Sequence, residues 1–183
     1  MHHYGDNEIC KDCDKSLWSD YFNLVLINGD TEYSVNGVLE GVVLPENVTI
    51  PDKHFNKPVT TISATAFKTG YEFADASKVK TVTIGENVKT IDASAFGSMT
   101  NLESLTVSNS NKTFKSKDNC VISKDTPTLV LGCKTSIIPD DGSVTSIGWS
   151  AFDWCSGLTA VTNRACLPCR KRSVWRVFFL CLP

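Results

Sequence analysis

The side chains of this chain best equipped for chemistry are its eight cysteines and three histidines. Cys10 and Cys13 form a C-x₂-C knuckle, which offers two thiolates with the bite of a tetrahedral zinc site, and His3 can supply a third ligand. No fourth ligand stands nearby. Cys166 and Cys169 complete a set of four thiolates on paper, but they lie at the opposite end of the chain. A structural zinc on His3, Cys10 and Cys13 is therefore one expectation, and a local disulfide or a reduced, solvated pair are its alternatives. A thioredoxin-like role is disfavoured because no βαβ pattern surrounds the motif.

The remaining groups do not assemble into catalytic machinery. His2, His3 and His54 are the histidines, and none sits in a catalytic motif. The carboxylates are scattered through turns, and no glycine-rich phosphate loop is present. The expectation is a protein without catalysis, and without a cofactor beyond that zinc. A formal charge of −2 argues against nucleic acid or an anionic membrane as partner, since both demand a basic surface. Asn47-Val-Thr49 and Asn111-Lys-Thr113 match glycosylation acceptors, a motif common by chance.

The elements that must position these residues come from a repeat. Val59, Ile62, Ala66 and Phe67 recur as Val88, Ile91, Ala95 and Phe96, and again as Val144, Ile147, Ala151 and Phe152. Leu102, Leu105 and Val107 follow the second block. Leu158 and Val161 follow the third, and Val79, Val82 and Ile84 follow the first after an insertion within Thr69 to Ser77. Without that insertion the period is about 23, in the range of leucine-rich repeats. Apolar residues two apart, as in Val82 and Ile84, point to one face of a short strand. Thr81, Thr83, Ser104, Thr106 and Thr162 then point to the other, exposed face and are the candidate binding residues. The Val-x-x-Ile step and the Ala-Phe pair form the return leg, with Phe67, Phe96 and Phe152 as large core pieces stacked in register. One repeat cannot bury its apolar face alone, so neighbours must share a core. The expected fold is a leucine-rich-repeat solenoid, β-rich with short strands and short helical or irregular return legs, an α/β superhelix.

Between the second and third blocks, Phe114 to Cys133 reads as two strands around a turn at Lys124 to Pro127, a hairpin lengthening one turn of the stack. Cys120 and Cys133 face each other across it, as a disulfide or as two inward thiols. Cys155 reads as a small buried hydrophobe.

These blocks, with the hairpin residues Asn119 to Lys124 and Thr128 to Lys134 and the entry Asn56 to Ile62, resemble BspA-like leucine-rich repeats of bacterial and protist surface proteins. The resemblance runs from about Tyr33 to Val161. It implies a cell-surface or secreted protein used for adhesion or recognition of protein or glycan ligands on host or neighbouring cells, with no catalytic residues to carry over. It also implies that the His3…Cys10-x-x-Cys13 unit marks a module junction.

The ends depart from this pattern. No secretory leader precedes the repeats, and no apolar run of about 20 residues could span a membrane. The chain is therefore expected to be a piece of a longer exported protein. From Arg164 the sequence turns basic and then apolar, which fits a membrane-seeking segment or, better, an unselected peptide after a slipped reading frame. The expected organisation is a cysteine-containing segment over 1–20, repeats over 21–163 with the hairpin at about 112–136, and an irregular tail over 164–183. The leading function is a binding or adhesion module. A structural spacer carrying another domain, or a truncated remnant, are the alternatives. Metal analysis of protein purified under reducing conditions should return no more than one zinc per chain, lost together with Cys10→Ser; freely titratable Cys10 and Cys13 thiols without zinc would remove the knuckle.

Overall fold

The computed structural model describes residues 10, 16–69, 72–153 and 155. A 3-10 turn at Leu17–Asp20 precedes β1 (Phe22–Ile27), β2 (Glu32–Val38), β3 (Asn47–Ile50), β4 (Lys53–His54) and β5 (Lys57–Ile62). After β6 (Lys68–Thr69) and β7 (Glu72–Phe73) come β8 (Thr81–Ile84), β9 (Thr90–Ile91), a 3-10 turn at Ala93–Phe96, and β10 (Ser104–Val107). The chain continues through β11 (Phe114–Lys117), β12 (Cys120–Ser123), β13 (Thr128–Leu131) and β14 (Ser146–Ile147).

Three of these strands form one parallel sheet in the order β10-β8-β3, with no slip in register. Val48, Val82 and Leu105 line up in one inward row, and Ile50, Ile84 and Val107 in the next; all six are buried. A one-residue slip would turn both rows out to water, so burial holds the register. The turns help. A Cβ on Gly85 would lie 2.5 Å from Asp52 Oδ1 and 2.7 Å from the Ile50 carbonyl, so only glycine lets the turn after β8 sit on the turn after β3.

The return legs begin as short strands at the Val-x-x-Ile step and end, at the Ala-Phe pair, in the expected helical or irregular form. Val59 to Ile62 lies within β5, which pairs in parallel with β2 on one side and β9 on the other. A second parallel sheet therefore backs the first, with β1 antiparallel against β2. Thr, Val and Ile dominate these legs, and β-branched side chains favour the pleated backbone. Within the described return legs helical character is confined to one turn, capped where Asp92 Oδ1 accepts from the Ser94 amide at 3.0 Å. Thr60 is the extra residue of a bulge and donates to Glu32 Oε2 at 2.9 Å. Lys89 Nζ lies 2.6 Å from Glu32 Oε1 and, with the Thr60 and Asn28 bonds, holds that carboxyl below the usual range.

A row of aromatic rings in stacked, edge-on and tilted contact runs through the largely aliphatic core. Trp18, Phe22, Phe67 and Phe96 follow one another at centroid separations of 6.0, 5.7 and 5.0 Å. Trp18 and Phe22 extend the row ahead of the first repeat block, and Trp18, ahead of residue 21, shares its cluster. Phe152 does not continue it. Three strands, β11 to β13, occupy the stretch where two were expected, and Val121, Leu131 and, just past β13, Cys133 join the main cluster. Phe152 packs instead in a second cluster with Cys120, Ile122, Leu129 and Ile138. Its ring lies on Gly132, where a Cβ would meet it at 2.1 Å.

Two substitutions test this packing. Phe96→Ala should cost about 3–5 kcal/mol in denaturant unfolding, the usual range for a buried aromatic truncation. Gly132→Ala should cost about 1–3 kcal/mol, because the Phe152 ring has to leave its seat; near-neutral values would contradict the ring stack and the second cluster respectively.

Candidate functional site

The outward face of the β3-β8-β10 sheet is built from alternation alone. With Val48 and Ile50 inward, Asn47 and Thr49 point out; Thr81 and Thr83 do so on β8, and Ser104 and Thr106 on β10. Parallel in-register pairing then aligns Asn47, Thr81 and Ser104 in one column and Thr49, Thr83 and Thr106 in another. Thr81 Oγ1 donates to Asn47 Oδ1 at 2.7 Å, and the Thr83 and Thr106 hydroxyls lie 2.9 Å apart. These bonds leave the Asn47 amide hydrogens unused, and one hydrogen of the Thr83–Thr106 pair; the Thr49 and Ser104 hydroxyls also face solvent.

A staircase of charge runs beside these columns. Glu46, Lys80 and Glu103 each directly precede a strand. Lys80 Nζ lies 3.1 Å from Glu46 Oε1, and Lys134 Nζ 2.8 Å from Glu103 Oε1. The Lys134 ammonium, with Lys80 further off, holds the Glu103 carboxyl below its ordinary value. The signs alternate and cancel, so the face is polar but close to neutral.

The structure thus brings together Thr81, Thr83, Ser104 and Thr106 as the alternation predicts. It adds Asn47 and Thr49, which repeat spacing missed. Val79 and Leu102 stand three before the first inward residue of their strands; the matching position before Val48 is Pro45, with the buried Leu44 displaced by one. The Val48-x-Ile50 alternation was the available signal. Thr162, His3 and Cys13 lie outside the described residues. Cys10 is fully buried, and no cluster of three potential metal ligands occurs among the described residues.

The two glycosylation-like motifs part company. Asn47 is exposed, whereas Asn111 is buried and uses its whole side chain on backbone. Its Nδ2 donates to the Gly85 and Val88 carbonyls at 2.8 and 3.0 Å, and its Oδ1 accepts from the Thr113 and Phe114 amides at 2.9 and 2.8 Å. Asn111 is a staple between the turns after β8 and β10, closed to modification in the folded chain.

The thiols are equally structural. Cys120, Cys133 and Cys155 are free, and Cys120 and Cys133 belong to different hydrophobic clusters. Burial pushes the Cys120 thiol up to about 11 and the Cys155 thiol up to about 12, so both stay protonated at neutral pH and are poor nucleophiles.

Short parallel strands stacked in register, with apolar rows inward and turns on turns, are the arrangement of leucine-rich repeats. Residues 46–120 match the BspA type leucine rich repeat region in six copies, so that span of the chain is similar to BspA-type leucine-rich repeats. The matched span starts one residue before β3 and contains the whole three-stranded sheet. No curated protein matches the chain. Among solved structures it is similar to a leucine rich cell surface protein from Faecalibacterium prausnitzii A2-165, at 21% identity and a TM-score of 0.43. That similarity covers 86% of this chain and 35% of the other. The repeat family is generally non-catalytic and generally binds proteins. Among the described residues no helix is long and apolar enough to cross a membrane.

Asn111→Ala should lower unfolding free energy by at least about 2 kcal/mol, since two carbonyls and two amides lose their partner. Asn47→Ala, on the exposed face, should change it by about 0.5 kcal/mol or less. Equal effects in urea unfolding would show that Asn111 is no staple.

Proposed function

We propose that the chain is a non-catalytic binding module of the cell surface, adhesion-like, in which a solenoid of repeats presents the outward face of β3, β8 and β10 to ligands on host or neighbouring cells. One observation carries this reading: six small polar side chains aligned in two columns, with hydrogen-bond donors left over. Such a face has shape and polarity but no large anchor, and suits weak contacts multiplied over many copies. The match of residues 46–120 to BspA type leucine-rich repeats supports the location.

A structural spacer is the second reading. The ladder bonds Thr81–Asn47 and Thr83–Thr106 and the lysine–glutamate pairs favour it, because they spend part of the face on itself. Substituting Thr83 and Thr106 by lysine separates the two. The double variant should lose about tenfold in attachment to immobilised matrix proteins or cells, while its thermal midpoint stays within about 2 °C. Undiminished attachment would leave the spacer.

A further inference from the structure

Resting on the reading of this face as a binding surface, we infer that its ligand class is a neutral, unsubstituted β-1,4-linked glycan laid along the stack, with its hydroxyl edges on the two columns. Four observations lead there.

The first is periodicity. Strands of one sheet are about 4.8 Å apart, and alternate residues along a parallel strand about 6.6 Å. Because β3, β8 and β10 pair without a slip, the polar groups form a lattice with those spacings. A ligand in phase with the rungs, meeting every second one in the same way, must itself repeat along the stack. Two rungs span about 10 Å, the length of the disaccharide repeat in an extended β-1,4-glycan. A peptide strand laid in the same direction repeats every two residues, at about 6.6–6.8 Å, and falls out of phase with the rungs.

Charge is the second. Lys80 and Lys134, the cations beside the columns, are each paired with a glutamate. Among the described residues no row of unpaired cations is left beside the columns to hold a sulfated or uronic acid polymer, and a neutral partner fits.

The third is composition. Protein hot spots are enriched in Trp, Tyr and Arg. None of the six outward residues is of those types, and every arginine of the chain lies at or beyond Arg164. Sugar hydroxyls both donate and accept, which matches a surface of hydroxyls and one amide that also does both. The fourth is relief. All six residues are small, so no side chain rises to wall a pocket for a bulky substituent, and an unsubstituted ribbon lies flat.

Three strands cover one disaccharide, so a single chain binds weakly and multivalent display supplies avidity. The test is depletion of the full chain from solution by amorphous cellulose, with starch and an insoluble β-1,3-glucan as linkage controls. Binding to cellulose alone is expected. Thr83→Val with Thr106→Val keeps the β-branched shape and removes the hydroxyls; it should bind about tenfold more weakly, as loss of one or two net hydrogen bonds implies. A circular dichroism melt confirms that the variant is folded, and Thr49→Val is a single-site alternative if it is not. Equal retention on starch, or undiminished binding by a folded variant, overturns the assignment. If cellulose does not retain the chain but the lysine double variant still loses attachment to matrix protein, the face binds protein and the glycan is wrong. If neither responds, both readings fall together.

Discussion

Everything in this molecule hangs on the fact that one repeat has too little apolar surface to bury by itself. Val82 and Ile84 are shielded only because Val48 and Ile50 lie on one side and Leu105 and Val107 on the other. Sharing a core in this way fixes the direction and register of the strands together, and the outward face inherits that order. The columns of Asn47, Thr81 and Ser104 and of Thr49, Thr83 and Thr106 are a by-product of burying the rows behind them. The surface is therefore as regular as the core is tight.

Much of this was legible in the residues. Three Val-x-x-Ile-x-x-x-Ala-Phe blocks carry the period, and alternation around Val82 and Leu105 separates inward from outward side chains. The secondary structure of the return legs was less legible. Val59 to Ile62 has few apolar residues and could serve in a turn or a strand. Its parallel pairing with β2 and β9 decides the matter, and no local signal announces partners more than 25 residues away in either direction. Long-range pairing also explains the missed strand β3. Pro45 displaced the apolar residue that marks the other strands, yet Val48 and Ile50 pair with β8 all the same. Asn111 was misleading for a related reason: its three-residue motif is local, while its role comes from reaching back to Gly85 and Val88.

The three-stranded insert β11 to β13 changes the core more than its length suggests. It adds Leu131 and, just past β13, Cys133 to the main cluster, and founds a second cluster on its other side. Phe152 keeps its place in the repeat but changes neighbours, resting on Gly132 rather than on Phe96. Free thiols in two separate clusters, and not a cross-link, are what the insert needs. Their burial keeps them as small hydrophobes, in line with the ordinary behaviour of cysteine inside proteins.

The charge staircase bears on how such a chain can change its length over generations. Copying or deleting a turn leaves the inward rows matched, since every rung offers the same apolar pair to its neighbours. Sign does not share that indifference. Glu46, Lys80, Glu103 and Lys134 alternate, so duplicating one rung sets like charges side by side, whereas duplicating two preserves every pairing. Turns added in twos therefore keep the order of charge along the stack, and turns added singly break it.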